Sequence, residues 1–259
     1  MISLTIADGI AEVVLDAPQK LNSLDEQALQ DLAQAYDDAA DAASRGEVRA
    51  LLLRGEGRAF CAGRDIAGVT PESDDAQAYL GGLVQPLLKK MSSFPAPTFA
   101  AAQGACLGVG LGLLLATDVV YVADSAKIGS PFAKLGATLD SGGHWYFTER
   151  LGMHRTLDLI YTAELMSGAE AVAQGLFSRA MPAEELLENT RSIVAKVAAG
   201  ATGAFNASKE LVAHIRDQRL GLWEAMEEEN AEQARLCKSE DYAEGFLAFQ
   251  EKRTPVFKG

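Results

Sequence analysis

The chain carries two glycine-rich segments, Phe60-Cys-Ala-Gly-Arg-Asp65 and Gly104-Ala-Cys-Leu-Gly-Val-Gly-Leu-Gly112, and then an acid-bearing loop, Leu139-Asp-Ser-Gly-Gly143. Glycine lets the backbone approach a ligand closely, so that peptide N–H groups can point at a ligand oxygen. Together the three segments predict a pocket in which backbone N–H groups stabilise an oxyanion beside a carboxylic acid.

Length and composition predict one large domain or two small ones with a sizeable core. Of the 259 residues, 48% are hydrophobic and 23% are charged, which is ordinary for a globular protein. The formal net charge is −13. Because binding to a phosphate backbone requires clustered Lys and Arg, this charge argues against nucleic acid as a partner.

The cysteines and the apolar segments favour a reducing, cytoplasmic setting. Cys61, Cys106 and Cys237 form no CxxC pair and have no histidines at metal-ligand spacing, so we expect neither a metal site nor a disulfide framework. The N-terminus has no basic region ahead of an apolar stretch. The longest apolar stretch, 107–122, is interrupted by glycines and Asp118 and is too short to span a bilayer. We therefore expect a cytoplasmic protein without a membrane partner.

Short β-rich segments alternate with helical patterns, which predicts an α/β layered fold. The expected strands are Ile2–Ile6, Ile10–Leu15, Val48–Arg54, Thr98–Ala102 and Val119–Ala123. Ser23-Leu-Asp-Glu26 is typical of a capping box that opens a helix. A second helix is expected over Ala76–Met91, ending before Pro95.

The second half of the chain is mainly helical in pattern. The expected segments are Arg155–Ala163, Gly168–Ala173, Ala183–Ala199, Thr202–Gln218 and a long charged segment, Leu222–Gln250. We divide the chain into an α/β core, residues 1–200, and a helical C-terminal region, residues 201–259.

A nucleotide-binding turn is the main rival interpretation of Gly108-Val-Gly-Leu-Gly112. The dinucleotide pattern requires a glycine three residues after the second one, and that position is Leu113. The chain also lacks the GK[ST] sequence of a phosphate-binding loop.

The ordered segments resemble those of the crotonase superfamily, the enoyl-CoA hydratases and isomerases, over essentially the whole chain. Supporting segments at family-like spacing are Pro18-Gln-Lys-Leu-Asn-Ser23, Ser167-Gly-Ala-Glu-Ala171 and Phe249-Gln-Glu-Lys-Arg-Thr-Pro255. The resemblance implies a spiral of ββα units with a helical C-terminal region that assembles trimers or pairs of trimers. It also implies an acyl-CoA thioester substrate, with coenzyme A as part of the substrate and no separate cofactor.

The resemblance also implies site residues. The backbone N–H groups of Arg64 and Val109 would hold the thioester oxygen as it becomes an oxyanion. Coenzyme A would contact Lys20 and Leu21, the first glycine turn and the C-terminal helix. In the turn these contacts would be Ala62, Gly63, Asp65 and Ile66, and in the tail Lys252, with Arg253 and Lys258 as further candidates.

Typical hydratases of this family use two glutamates, and neither is present here. The matching positions hold Gly112 and Phe132. Asp140 occupies a position where some family members place their working carboxylate, among them the ring-oxepin isomerases of phenylacetate breakdown. The alternative role for Asp140 is to cap the helix expected near Gly142.

A single carboxylate suffices for a 1,3 proton shift, so the sequence favours double-bond isomerisation with Asp140 as the acid and base. A hydratase that uses Asp140 alone or with His144 is the next interpretation, and His144 and Trp145 are candidates for the acyl pocket. A dehalogenase would also need a histidine where the chain has Gln85. The alternative to an enzyme is a non-catalytic relative that binds CoA thioesters without converting them.

Overall fold

The computed structural model describes residues 1–67 and 69–259. Its strands are β1 (Ile2–Ala7), β2 (Ile10–Leu15), β3 (Ala50–Gly55), β4 (Thr98–Ala102), β5 (Ala105–Leu107), β6 (Val119–Ala123), β7 (Lys127–Gly129), β8 (Met166–Ser167) and β9 (Arg179–Met181). Its α-helices are α1 (Glu26–Ser44), α2 (Ala76–Tyr79), α3 (Gln85–Ser92), α4 (Val109–Leu115), α5 (Gly143–Leu151), α6 (Met153–Thr162), α7 (Gly168–Ala173), α8 (Ala183–Ala198), α9 (Thr202–Gln218), α10 (Leu222–Leu236) and α11 (Glu240–Glu251).

The main sheet has the strand order β1-β2-β3-β4-β6-β9. Strands β1 and β2 are antiparallel, whereas the pairs from β2 to β9 are parallel. A smaller sheet has the order β5-β7-β8, with β5 and β7 parallel and β7 and β8 antiparallel. The α/β architecture predicted from the alternating pattern is therefore confirmed.

The core forms where helices cover the parallel strands. All five residues of β4 are buried, and so are all seven residues of α4. Strands buried on both faces need continuous apolar runs, which is why Thr98–Ala102 and Val119–Ala123 could be predicted with their bounds. The predicted strand Val48–Arg54 is shifted in the structure to Ala50–Gly55, because its partner β2 begins only at Ile10, opposite Ala50.

Helix α1 starts later than the capping-box prediction placed it. The N-cap is Asp25, whose Oδ1 accepts a hydrogen bond from the Ala28 N–H at 2.9 Å. Ser23 cannot serve as the cap, because Leu24 is still extended and pairs with Arg64. The apolar face of α1 is buried and includes Ala28, Leu29, Leu32, Tyr36 and Ala39.

The helix predicted over Ala76–Met91 is interrupted. After α2, residues Leu80–Val84 form a single π turn that contains Gly81 and Gly82, and α3 then continues to Ser92. Isolated π turns inside helices occur frequently at functional sites.

The C-terminal region is helical, as predicted, but the charged segment 222–250 forms two helices. A turn at residues 237–239 separates α10 from α11, and the Ser239 side chain caps α11 through the Tyr242 N–H. Among residues 1–67 and 69–259, no helix combines the length and apolarity needed to cross a membrane.

Candidate active site

The two glycine segments lie side by side. Cys61 pairs with the β5 region, since its N–H donates to the Ala105 oxygen at 2.9 Å and its oxygen accepts from the Leu107 N–H at 3.0 Å. Gly63 has φ +99°, and a Cβ there would lie 2.9 Å from the Leu107 oxygen. Only glycine fits this contact without strain, which brings the turn at Gly63 against Gly108.

The Arg64 N–H is oriented by its neighbours. The Gly63 oxygen accepts a hydrogen bond from the Leu24 N–H at 2.8 Å, and the Asp65 N–H donates to the Leu24 oxygen at 2.8 Å. Because a trans peptide points its C=O and N–H in opposite directions, the Arg64 N–H points away from Leu24. It donates to no acceptor within the described part of the chain.

The Val109 N–H is the first of helix α4. Gly108 is the N-cap with φ +53°, and no side chain among residues 1–67 and 69–259 caps this helix end. The first bond within the helix runs from the Gly112 N–H to the Gly108 oxygen at 3.0 Å. The Val109 N–H thus belongs to the orphan donors of a helix start, where the helix dipole also favours negative charge.

Asp140 is a partly buried carboxylic acid that lies next to the buried Leu139. Burial raises its pKa above the ordinary value, while the Ser141 hydroxyl and the positive charge of Arg64 act in the opposite direction. Ser141 Oγ donates to Asp140 Oδ1 at 2.8 Å. The helix-cap alternative is wrong for this side chain, because Gly142 is the N-cap of α5 and the Asp140 carboxylate does not cap that helix.

Asp140 lines a cavity of about 1060 Å³, a size suited to a ligand. The cavity lies between the segment Leu80–Ser93, the loop Leu139–Gly142 and helix α9. Its apolar wall consists of Leu80, Val84, Leu88, Ala116, Leu139 and Tyr146. Gln85 also lines the cavity. This residue stands at the position where a dehalogenase would need a histidine.

The two positions of the missing glutamates have different surroundings. A Cβ at Gly112 would lie 2.4 Å from Ser141 Cβ, so the loop that carries Asp140 fills the space of a side chain there. Phe132 lies in a short 3-10 helix, and its ring approaches within 3.1 Å of where a Cβ on Gly108 would stand. Neither position supplies an acid.

The structure brings together most of the residues expected near coenzyme A. Lys20 Nζ lies 3.0 Å from Asp65 Oδ2 and 3.3 Å from Asp25 Oδ2. The Leu21 oxygen accepts from the Ala62 N–H at 2.9 Å, which fixes this segment beside Gly63. Ile66 follows with an exposed side chain.

The basic residues of the C-terminal tail do not share hydrogen bonds or ion pairs with Lys20 among the described residues. Lys252 is the C-cap of α11, and within the described residues no hydrogen bond or ion pair joins its side chain to Lys20, Asp25 or Asp65. Arg253 forms ion pairs with Glu244 and Glu251, and Lys258 forms one with Glu240. The tail cations other than Lys252 therefore already have carboxylate partners in this chain.

Several other side chains have structural roles or lie outside the cavity. Asp118 has a structural role, since its carboxylate accepts from the Thr98 N–H at 2.8 Å and pairs with Lys209. His144 is exposed and its Nε2 lies 3.1 Å from Thr138 Oγ1. His144 and Trp145, the two candidates for the acyl pocket, do not line the cavity that Asp140 lines, and the α5 residue that lines it is Tyr146.

The sequence does not predict which residues surround the Arg64 side chain. Its guanidinium forms two hydrogen bonds with Asp74 and stacks on the ring of Tyr79. Asp74 and Tyr79 stand in an unremarkable polar segment and a helical pattern, so nothing local in the sequence indicates that they meet Arg64.

Comparison with known proteins defines the class. Residues 5–259 match the family model described as enoyl-CoA hydratase/isomerase. A protein of Rhodobacter capsulatus described as a probable enoyl-CoA hydratase is 35% identical over 98% of this chain and 96% of its own length. The 1,2-epoxyphenylacetyl-CoA isomerase of Escherichia coli is 29% identical over 98% of this chain and 97% of its own length.

Solved structures agree on the fold. The enoyl-CoA hydratase of Bacillus anthracis superposes with a TM-score of 0.90 at 29% identity, covering 100% of this chain and 99% of that one. The chain therefore belongs to the enoyl-CoA hydratase/isomerase family and has the crotonase fold with a helical C-terminal region.

Proposed function

We propose that this protein isomerises the double bond of an enoyl-CoA through an enolate, with Asp140 as the acid and base. The observation that carries the proposal is the contrast between two positions: Asp140 is a partly buried carboxylic acid on the cavity, whereas a side chain at Gly112 would clash with Ser141. The Escherichia coli relative, which is described as an isomerase, also favours isomerisation over hydration.

The proposed reaction moves one proton and needs no cofactor beyond the coenzyme A of the substrate. The Asp140 carboxylate removes a proton from the α-carbon of a 3-enoyl-CoA. The electron pair of that C–H bond shifts toward the thioester carbonyl, whose oxygen gains negative charge between the N–H groups of Arg64 and Val109. Protonated Asp140 then returns the proton to the γ-carbon, which places the double bond between the α- and β-carbons.

The contribution of each group follows from its chemistry. Backbone donors preorganised in a dry site typically contribute roughly 3–4 kcal/mol each to stabilising an oxyanion. A raised pKa brings a carboxyl group closer to the range in which it both accepts and returns a proton. Lys20, Leu21 and the segment Ala62–Ile66 would bind coenzyme A at the mouth of this site.

A second candidate is hydration of a 2-enoyl-CoA, with Asp140 activating water. The name of the Rhodobacter capsulatus relative favours it. The two candidates differ in product, because hydration adds an oxygen to the β-carbon and isomerisation leaves the mass of the acyl group unchanged.

The test uses the Asp140→Asn variant with short, long and aromatic 2-enoyl- and 3-enoyl-CoAs. We expect isomerisation, and exchange of α- and γ-protons with deuterated water, to fall by about 10²–10⁴-fold, the usual contribution of a general acid and base. Thermal shifts with acetoacetyl-CoA should stay as in the wild type, where a ligand at a hundred times Kd adds about 2.7 kcal/mol of stability.

The matched control is Asp158→Asn, which removes an exposed carboxylate on α6 that pairs with Arg155. Turnover that survives in Asp140→Asn would refute the assignment. Wild-type protein that binds thioesters but neither exchanges protons nor forms product would indicate a CoA-binding relative without catalysis.

A further inference from the structure

A second cavity, of about 450 Å³, adjoins the cavity that Asp140 lines. It lies between helices α5 and α9 and residues 115–118, and we call it the arginine cavity because Arg150 and Arg216 line it. The residues that line both cavities are Ser92, Ala116, Tyr146, Lys209, Ala213 and Arg216. Because the two spaces meet along these residues, a long ligand in the first cavity extends toward the second.

The charged residues of the arginine cavity are mostly cations. Among the described residues, Arg150, Lys209 and Arg216 line it, against the single carboxylate of Asp118. Lys209 Nζ pairs with Asp118 Oδ2 at 2.8 Å, so the charges of the two arginines are not balanced by a carboxylate of the cavity wall. This local surplus contrasts with the net charge of −13 of the whole chain.

The partners of the two arginines leave them available to a ligand. Arg150 Nη1 donates to the Leu176 oxygen at 2.8 Å, and within residues 1–67 and 69–259 its side chain forms no ion pair. Arg216 pairs with Asp217, the next residue, whose side chain is 53% exposed. Exposed pairs of this kind contribute little, so a ligand anion competes readily for the Arg216 guanidinium.

Two aromatic rings of α5 order both guanidinium groups. The rings of Trp145 and Tyr146 meet edge to face, with their centroids 5.0 Å apart. The guanidinium carbon of Arg216 lies 5.3 Å from the Trp145 centroid, and that of Arg150 lies 5.0 Å from the Tyr146 centroid. Cation–π contacts of this kind restrict a long side chain, so part of the entropy cost of binding an anion is already met before the ligand arrives.

The rest of the wall is largely apolar. Its apolar members include Pro97, Phe99, Leu115, Val197, Phe205 and Val212. Apolar surface suits a hydrocarbon chain, whereas a guanidinium binds a carboxylate through paired hydrogen bonds. A carboxylate brought into such surroundings requires a cationic partner. The arginine cavity therefore suits a hydrocarbon chain that ends in a carboxylate.

Coenzyme A also carries negative charge, but its proposed contacts lie elsewhere. Lys20, Leu21 and the segment Ala62–Ile66 line neither cavity. Asp140 lines the first cavity only. This arrangement matches an acyl group whose reactive carbons lie near Asp140 and whose far end lies between the arginines.

We propose that the acyl group of the substrate ends in a carboxylate, which Arg150 and Arg216 bind, so that the substrate is the CoA thioester of an unsaturated dicarboxylic acid. The proposal rests on the isomerase function proposed above, in which Asp140 acts on the carbons next to the thioester. The two arginines select the substrate and take no part in proton transfer.

The test measures the binding of saturated thioesters by calorimetry, which requires no turnover. Three pairs of equal carbon number are compared: adipyl- with hexanoyl-CoA, suberyl- with octanoyl-CoA, and sebacyl- with decanoyl-CoA. In at least one pair we expect the carboxylated thioester to bind about tenfold more tightly or better, the usual contribution of a hydrogen bond to a charged group. The advantage should depend on chain length, because the carboxylate must reach past Tyr146.

Two variants assign this advantage to the arginines. Arg216→Gln removes one cation and, among the described residues, hydrogen bonds only to Asp217. It should remove most of the advantage of the carboxylated thioester and leave the affinity for its uncharged partner unchanged. Arg150→Gln should act in the same way, but it also loses the bond to Leu176, so thermal unfolding checks its fold. If Arg150→Gln does not fold, Arg216→Gln alone decides.

Arg219→Gln is the matched control, since Arg219 donates to Glu149 at 2.9 and 2.7 Å and lines neither cavity. It should keep the full advantage. Equal affinity within every pair, or an advantage that survives in Arg216→Gln, would overturn the proposal. Binding of adipate or inorganic phosphate alone, without any advantage for the carboxylated thioesters, would also overturn it, because the arginines would then hold a separate anion.

Failure of the isomerase function is recognised separately. A protein that binds a carboxylated thioester selectively but does not isomerise its unsaturated form would retain the substrate class and refute the reaction.

Discussion

Ser141 occupies the space into which a side chain at position 112 would project: a Cβ added to Gly112 would stand 2.4 Å from Ser141 Cβ and 3.1 Å from Ser141 Oγ. The same serine donates its hydroxyl to Asp140. Ser141 therefore fills the space beside Gly112, where typical hydratases of the family have a glutamate, and also contacts Asp140.

We expect Gly112→Ala to destabilise the protein and to disturb proton transfer. Helix α4 is buried throughout, so the new methyl group must displace the loop at Ser141. Overpacking of this kind typically costs about 1–3 kcal/mol. Urea unfolding and the proton-exchange rate measure the two effects.

Gly203→Ala is the control for that change, because a Cβ at Gly203 meets no atom within 4 Å and the residue lies in helix α9. It should be neutral or should stabilise the helix by up to about 1 kcal/mol. Equal stability of the two alanine variants would contradict the close contact at Ser141.

We expect Asp140→Asn to be more stable than the wild type at neutral pH. The pKa of Asp140 is raised in the folded state above its ordinary value of 3.8, so between these two pKa values the folded state binds the proton more tightly than the unfolded state does. The wild-type free energy of unfolding therefore falls as pH rises through this window, whereas asparagine has no such dependence.

Urea unfolding at a series of pH values between 7.5 and 4.5 checks the sign, with Asp158→Asn as the matched control. The stability advantage of Asp140→Asn should shrink as pH falls. An Asn variant that is less stable at neutral pH would mean that the Asp140 carboxylate is stabilised in the fold.

We expect Asn22→Ala to lower the free energy of unfolding by at least about 2 kcal/mol. Asn22 is 1% exposed, accepts from the Ala17 N–H at 2.8 Å and donates to the oxygens of Ala59 and Phe60 at 2.8 and 3.1 Å. Each buried group left unpaired costs about 1–3 kcal/mol. The positive φ of 56° adds strain for alanine.

Gln27→Ala serves as the comparison, because Gln27 is exposed and its side chain donates to Asp31 on the surface of α1. Its effect should stay within about 0.5 kcal/mol. Similar unfolding midpoints for both variants would show that the hydrogen bonds of Asn22 to Ala17, Ala59 and Phe60 do not stabilise the segment before the first glycine turn.

We expect the protein to form trimers or hexamers through residues 201–259. Phe246, Leu247 and Phe249 are 54%, 50% and 85% exposed near the end of α11, and an apolar patch of this kind commonly marks an interface. Sedimentation should give a mass three or six times 27.5 kDa. A stable monomer at micromolar concentration, or an unchanged mass in Phe249→Glu, would contradict this region as the interface.

The sequence predicted those features that depend on local pattern. Buried parallel strands give continuous apolar runs, and the glycines at positions 63 and 108 mark turns with positive φ that few other residues adopt. The start of α1 was predicted wrongly, because Ser23 and Asp25 both suit an N-cap. The choice depends on the pairing of Leu24 with Arg64, forty residues away.

Other features of the site arise from contacts between distant segments. The absence of a glutamate at position 112 is visible in the sequence, but the loop at Ser141 that fills the space is 29 residues away and carries no local sign of it. The bond from Arg64 to Asp74 and the stack on Tyr79 likewise require the path of the chain between them. The π turn Leu80–Val84 has the composition of an ordinary helix apart from its two glycines.

The contact between Gly112 and Ser141 also constrains the order in which this site could acquire a second acid, whether by laboratory evolution or in nature. A glutamate at position 112 would meet Ser141 first and would destabilise the protein before it could help catalysis. Replacing Ser141 by glycine beforehand would open the space at the cost of one hydrogen bond to Asp140. We therefore expect the two positions to be epistatic: replacing Ser141 first avoids the clash with a side chain at position 112, whereas placing the glutamate first does not.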